Sequence, residues 1–181
     1  MLTINIPERD YFDESTQMFT TIPARTIDLE HSLVAISKWE SKYMKPFLNE
    51  KPKTTQETYD YIQCMVVGEP CDMLTIQSIT YLDLERITNY IQSPNTATTI
   101  THHGQQKPNR EVKTSELIYY WMIAFNIPFE CQNWHLNRLL TLINICNIKN
   151  DTSNKKVNPK DTLRRNAALN AARKKAMNTS G

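Results

Sequence analysis

The sequence predicts a mainly α-helical protein: a single helical domain with a short N-terminal β element and a basic helical arm at its C-terminus. Three observations carry that expectation. Only three glycines occur in 181 residues, and just Gly68 and Gly104 are internal, whereas folds rich in tight hairpins need glycine where φ is positive. Apolar residues recur at intervals of three and four over most of the chain, the period of one helix face. The apolar runs are headed by Ser or Thr and closed by Pro, Asn or Gly, as helix starts and stops are.

Leu2 to Pro7 alternates apolar and polar side chains, and Ile22 to Leu29 contains a shorter alternation through Ala24 to Ile27, so two short strands able to pair are expected. Tyr11 to Glu14 reads as a loop or one helical turn. From about Glu30 the period changes, and Leu33, Ile36, Trp39, Tyr43 and Phe47 mark a first helix limited by Pro46. Thr54-Thr55-Gln56-Glu57 opens a second with capping hydroxyls and an acid in the first turn; Tyr61, Ile62, Met65 and Val66 form its apolar side and Gly68-Glu69-Pro70 ends it. Cys71 to Thr80 fits no period. Tyr81 to Ile91 is a third helix ended by Ser93-Pro94.

Asn95 to Lys113 holds almost no large apolar residue and reads as an exposed loop of about 19 residues, longer than most connections. Thr114-Ser115-Glu116 then opens a helix with Leu117, Ile118, Trp121, Met122 and Phe125 on one side, closed by Asn126-Ile127-Pro128. Cys131 to Ile148 is the most apolar helix, with Leu136, Leu139, Leu140, Ile143 and Cys146 on its main face, and it is expected at the centre of the core. Asp151 to Pro159 is polar and marks a hinge between domain 1–150 and arm 151–181. The arm, from Asp161 to Met177, is built of helix formers without a large apolar stripe, so it gains little from packing on its own body. Asn49, Asn95, Asn126 and Asn150 stand at helix exits, where Asn substitutes for Gly in the left-handed conformation.

Charge follows the same division. Residues 149–181 contain nine Lys/Arg and two Asp/Glu, a net +7, while the preceding 148 contain 12 and 17, a net −5. No run of about 18 apolar residues is present, so no membrane-spanning helix is expected. The first ten residues lack a basic start followed by an apolar core, which points to action in a cytoplasm. Cys64, Cys71, Cys131 and Cys146 are too scattered for a disulfide framework and read as free structural thiols.

Chemistry finds little support in the spacing. Two internal glycines cannot write a Rossmann or P-loop phosphate cradle. A zinc site would have to be assembled from Cys64 and Cys71, seven apart, His102-His103 and the Cys131/His135 pair, without the close ligand pairs of structural zinc. No motif ties His31, His102, His103 or His135 to a nucleophile, and Asp83 and Glu85 point to different sides of a helix. The expectation is a non-enzymatic protein without cofactor or metal.

Binding residues are better represented. The cationic groups of the arm, Arg164, Arg165, Arg173, Lys174 and Lys175, suit phosphates, an acidic protein surface or plain solvation. Nucleic acid is disfavoured because the segment lacks aromatic side chains on which bases could stack. Trp39 and Trp121 fit core faces; Trp134, between Asn133 and His135 at a helix start, is the candidate interface tryptophan.

Several segments resemble a family of long-tailed bacteriophage proteins, the tail assembly chaperones: Ser37 to Tyr43 with Lys45-Pro46-Phe47-Leu48, Thr96-Ala97-Thr98-Thr99, Glu116 to Met122, most densely Asn126 to Ile143, and Ala168 to Arg173. The resemblance implies a viral protein made in the host cytoplasm that binds the tape measure protein, tail tube subunits or both during virion assembly and then departs. The alternative within phage biology is a structural tail or neck protein of the virion whose basic arm contacts a neighbouring subunit or DNA. A second copy of the chain is a further candidate partner.

Overall fold

The computed structural model describes residues 1–14, 17–49, 51–100, 112–150 and 159–177. Among them the architecture is mixed α and β, which corrects the expectation of a mainly α fold. Five strands form two antiparallel sheets, beside seven α-helices and one 3-10 helix. The difference arises at the N-terminus, where four strands rather than two occupy the first 29 residues.

Strand β1 (Leu2–Ile6) pairs antiparallel with β4 (Arg25–Leu29), Ile4 opposite Ile27, and β4 pairs in turn with the two-residue β5 (Val66–Val67). The period of two fixes the faces. Ile4, Ile6, Ile27 and Leu29 are buried, while Thr3 donates to Asp28 at 2.7 Å and Thr26 to Asn5 at 2.9 Å on the open face. Between them β2 (Arg9–Asp13) and β3 (Met18–Ile22) form a separate two-stranded ribbon, where a loop or helical turn was expected around Tyr11 to Glu14.

Polar caps set the helix starts. Ser32, Thr54, Asp72, Thr80 and Thr114 each accept a backbone N–H three residues on, opening α1 (Leu33–Tyr43), α2 (Thr55–Met65), α3 (Met73–Gln77), α4 (Tyr81–Gln92) and α5 (Ser115–Ala124). At Thr54 the capping box is complete, since the Glu57 carboxylate reaches back to the Thr54 N–H at 2.9 Å. Thr54→Ala should therefore lower the unfolding free energy by about 1 kcal/mol, read as a shift of the urea midpoint.

Exits also differ in detail. α1 stops at Met44 in the left-handed conformation (φ 53), before Pro46, so Phe47 reaches the core from a loop. Asn95 and Asn126 adopt positive φ as expected. Cys71 to Thr80, which showed no period, contains the short α3. The apolar stretch from Cys131 divides into a 3-10 helix (Phe129–Asn133) and α6 (Leu136–Asn150), whose Leu136, Leu139 and Ile143 are buried.

The core gathers the buried sheet face with Leu33, Ile36 and Trp39 of α1, Ile62 and Met65 of α2, Ile118 and Met122 of α5, and Leu139. Its polar ties are all satisfied among the described residues. Trp39 Nε1 donates to the Glu57 carbonyl at 2.9 Å. Asp60 accepts from Lys42 at 2.5 Å, Gln56 at 3.0 Å and the Tyr43 hydroxyl. Burial alone would raise the Asp60 pKa, but these donors outweigh it and hold the carboxyl below its ordinary value.

The chain divides into two compact units, Met1–Asn144 and Ile145–Gly181, the second containing α7 (Pro159–Met177). The expected hinge at 151–158, and His102, His103 and Gly104 of the expected loop, lie outside the described residues.

Candidate protein-binding interface

Helix α5 reads Ser-Glu-Leu-Ile-Tyr-Tyr-Trp-Met-Ile-Ala, so every position after Glu116 is apolar or aromatic. A helix apolar on every side is normally surrounded by protein. Here Ile118 and Met122 are fully buried and Leu117, Tyr119 and Trp121 half-buried, but Glu116, Tyr120, Ile123 and Ala124 are exposed. Those four fall on one face at i, i+4, i+7 and i+8. Tyr120 is 63% and Ile123 61% exposed, well beyond what a core-facing helix leaves open.

The face continues onto the next element. Asn126 at φ 53 turns the chain, and the Ile127 N–H donates to the Met122 carbonyl at 2.8 Å. That turn leads into the 3-10 helix, where exposed Phe129 lies with its ring 6.5 Å from that of Tyr119, whose hydroxyl donates to Gln132 at 2.9 Å. At the N-terminal end of α5, a surface recess of about 320 Å³ is bounded by Ser41, Met44, Pro46, Thr114 and Glu116. The surface is thus an apolar strip flanked by charge: Glu116 and Lys45 at the recess and exposed Glu130 beside Phe129. The sequence carried a signal for it: Tyr119, Tyr120 and Ile123 leave α5 without a polar side.

Trp134 is half-buried at the end of the 3-10 helix, and the Arg138 guanidinium lies 4.2 Å from its ring centroid, covering one face. Trp39 is in the core and Trp121 half-buried. The arm residues belong to the other unit. Arg164 and Arg173 are exposed on α7, together with Leu163 and Leu169. Positions 165, 174 and 175 also fall within α7, but their side chains lie outside the described residues. At about 100° per residue, positions 164 and 173 are half a turn apart, so the cationic positions surround the α7 axis rather than lining one side.

Two histidines, by contrast, are internal. His31 Nδ1 and the Tyr61 hydroxyl are hydrogen-bonded at 2.5 Å, and the His31 and His135 rings are 5.0 Å apart. His135 Nδ1 accepts the Asn137 N–H at 3.3 Å, so its Nε2 donates to the Tyr90 carbonyl at 3.0 Å. The Tyr90 hydroxyl donates to Glu30 at 2.7 Å. Burial, with the neighbouring His135, pushes His31 down to about 3, and burial lowers His135 as well. Burial disfavours the charged form of both rings, and among the described residues their hydrogen bonds go to the Tyr61 hydroxyl, the Tyr90 carbonyl and the Asn137 N–H, none to a Ser or Cys side chain. Burial likewise raises the Cys64 and Cys71 thiols, opposing thiolate formation.

Among the described residues no His, Cys, Asp or Glu groups of three or more are placed to hold a metal ion, and no helix is long and apolar enough to cross a membrane. No family model, characterised protein or solved structure matches this chain. The candidate surface rests on physical properties alone: exposed apolar side chains on α5 and the 3-10 helix, a kind of area that often marks binding sites on proteins.

Proposed function

We propose that this chain is a non-enzymatic tail assembly chaperone of a long-tailed bacteriophage, acting in the host cytoplasm by transient binding of the tape measure protein, tail tube subunits or both. The observation that carries the reading is the exposed apolar strip of Tyr120 and Ile123 continuing to Phe129. Such a strip accepts the apolar stripe of a partner helix, and a tape measure helix exposes such stripes until tube subunits enclose it. The segments that resemble the chaperone family, Glu116 to Met122 and Asn126 to Ile143, contain this strip. In this mechanism Arg164, Arg165, Arg173, Lys174 and Lys175 of the arm supply the complementary attraction to an acidic or helical partner.

Co-purification with the tape measure protein tests both parts. Ile123→Glu, on an exposed position that leaves the core intact, should reduce capture about tenfold or more, and deletion of residues 151–181 should weaken it further. Capture unchanged by the deletion would remove the arm from the mechanism; capture unchanged by Ile123→Glu would remove the α5 strip. The second reading, a structural virion protein, is favoured by the cationic positions around the whole circumference of α7, which suit an arm enclosed by a neighbouring subunit or lying along DNA. Mass spectrometry of purified virions separates the two: trace amounts for a chaperone, stoichiometric amounts for a structural subunit.

A further inference from the structure

The β2–β3 ribbon has no part in the surfaces described so far. Its register sets Phe12 opposite Phe19, Tyr11 opposite Thr20 and Asp13 opposite Met18. Phe12 and Phe19, with ring centroids 4.9 Å apart, occupy one face; Tyr11 and Met18 belong to the other. All four are exposed, Phe19 at 72% and Met18 at 65%. Among the described residues the two strands pair only with each other. A two-stranded ribbon is at best marginally stable in water, and one that is apolar on both faces calls for a larger sheet.

Its two edges are chemically different. β2 and its flanks carry Glu8, Asp10, Asp13 and Glu14 against the single Arg9, and charges of this kind are how edge strands avoid pairing. β3 reads Met-Phe-Thr-Thr-Ile, with no charge, no proline and strand-forming residue types throughout. We infer that β3 is a self-association edge: two copies of the chain join β3 to β3, antiparallel across a two-fold axis at Thr20, into a four-stranded sheet ordered β2-β3-β3-β2.

A second copy fits this edge better than an unrelated strand because β3 is complementary to itself. With Thr20 on the axis, Met18 stands opposite Ile22 and Phe19 opposite Thr21. The even-numbered positions stay together on the face that carries Tyr11, and the odd-numbered ones on the face that carries Phe12. No charge meets a like charge. Pairing β2 with β2 about Tyr11 would instead bring two segments of net charge −3 together, with Glu8 opposite Glu14 at both ends and only Arg9 opposite Asp13 in compensation. A head-to-tail β2–β3 join would leave open edges at both ends and propagate, whereas the two-fold join closes on itself.

The inference is independent of the chaperone reading and is tested on the isolated full-length chain. Sedimentation equilibrium should show a concentration-dependent dimer. Thr20→Lys, at an exposed position, sets two cations against each other and should raise the dimer dissociation constant about tenfold or more. Thr20→Glu should do the same alone, and an equimolar mixture of the two variants should recover dimer as a heterodimer. In Thr20→Cys the paired Cα atoms would stand about 4.5–5.5 Å apart, within disulfide range, so mild oxidation should yield a covalent dimer that the unsubstituted chain does not form. A chain that stays monomeric at every concentration overturns the inference. So does a dimer that Thr20→Lys leaves intact, because its interface then lies elsewhere.

Discussion

Glu40→Ala should lower the unfolding free energy by about 3–5 kcal/mol, the largest effect expected of any single side chain outside the apolar core. Glu40 sits in the last turns of α1 and is buried, yet no Lys or Arg pairs with it among the described residues. Its two oxygens accept backbone N–H groups from separate parts of the chain: Phe47 at 2.7 Å, after the left-handed exit of α1, and Ser115 at 2.7 Å, in the first turn of α5. The second contact places a carboxylate at the positive end of the α5 dipole, while Thr114 caps the Leu117 N–H beside it. Truncation to Ala would leave both buried N–H groups without an acceptor, each costing about 1–3 kcal/mol. Glu40→Gln keeps the shape but turns an amide NH2 toward one of the two donors, so an intermediate loss of about 1–2 kcal/mol is expected. Urea unfolding of the three proteins checks the series. Losses below about 1 kcal/mol for Glu40→Ala would mean that water replaces the carboxylate and that α5 is not held by it.

The effect bears on the proposed interface, because Glu40 fixes the start of the helix that presents Tyr120 and Ile123. A weakened anchor should reduce partner capture even though Glu40 itself is buried. Ile123→Glu should act on capture alone and leave the unfolding midpoint nearly unchanged, so the two substitutions separate positioning of the strip from contact with it.

Most helices were legible because their signals are local. Thr54 and Thr114 mark starts through their own hydroxyls, and the apolar period of α2 and α4 shows within one or two turns. The β2–β3 ribbon was not legible for the same reason in reverse. Its Phe12–Phe19 pair is made across strands, and Gln17 rather than a glycine takes the positive φ ahead of β3, so neither alternation nor a glycine turn motif announces it. β5 was hidden for a similar cause: Val66 and Val67 continue the apolar side of α2 in sequence and become a strand only because Leu29 and Asp28 offer an edge. The bonding of Glu40 joins residues 75 positions apart, beyond any sequence period. At the candidate interface the residue types of α5 were plain, but which of its faces stays open depends on where α1 packs.

Between pH 7 and pH 5 the unfolding free energy should fall by about 2 kcal/mol through His31 alone. The His31 pKa in the fold is about 3, against an ordinary value of 6.5. Below 6.5 the unfolded chain therefore binds a proton at this site that the folded chain does not, and each further pH unit favours unfolding by about 1.4 kcal/mol until the pH approaches 3. His135, also lowered by burial, adds in the same direction. The carboxyls held below their ordinary values, Glu57, Asp60 and Asp72, contribute mainly below about pH 5, so the histidines dominate the interval from 7 to 5. Urea unfolding at pH 7, 6 and 5 measures the slope. His31→Asn removes one titrating ring and should flatten the profile by about 2 kcal/mol over that interval, whatever its effect on stability at pH 7. A wild-type chain equally stable at pH 5 and 7 would mean that protonated His31 is accommodated beside Tyr61 and His135. The two rings would then not be held neutral by burial, and the joint between α4, β4 and α6 would have to admit water.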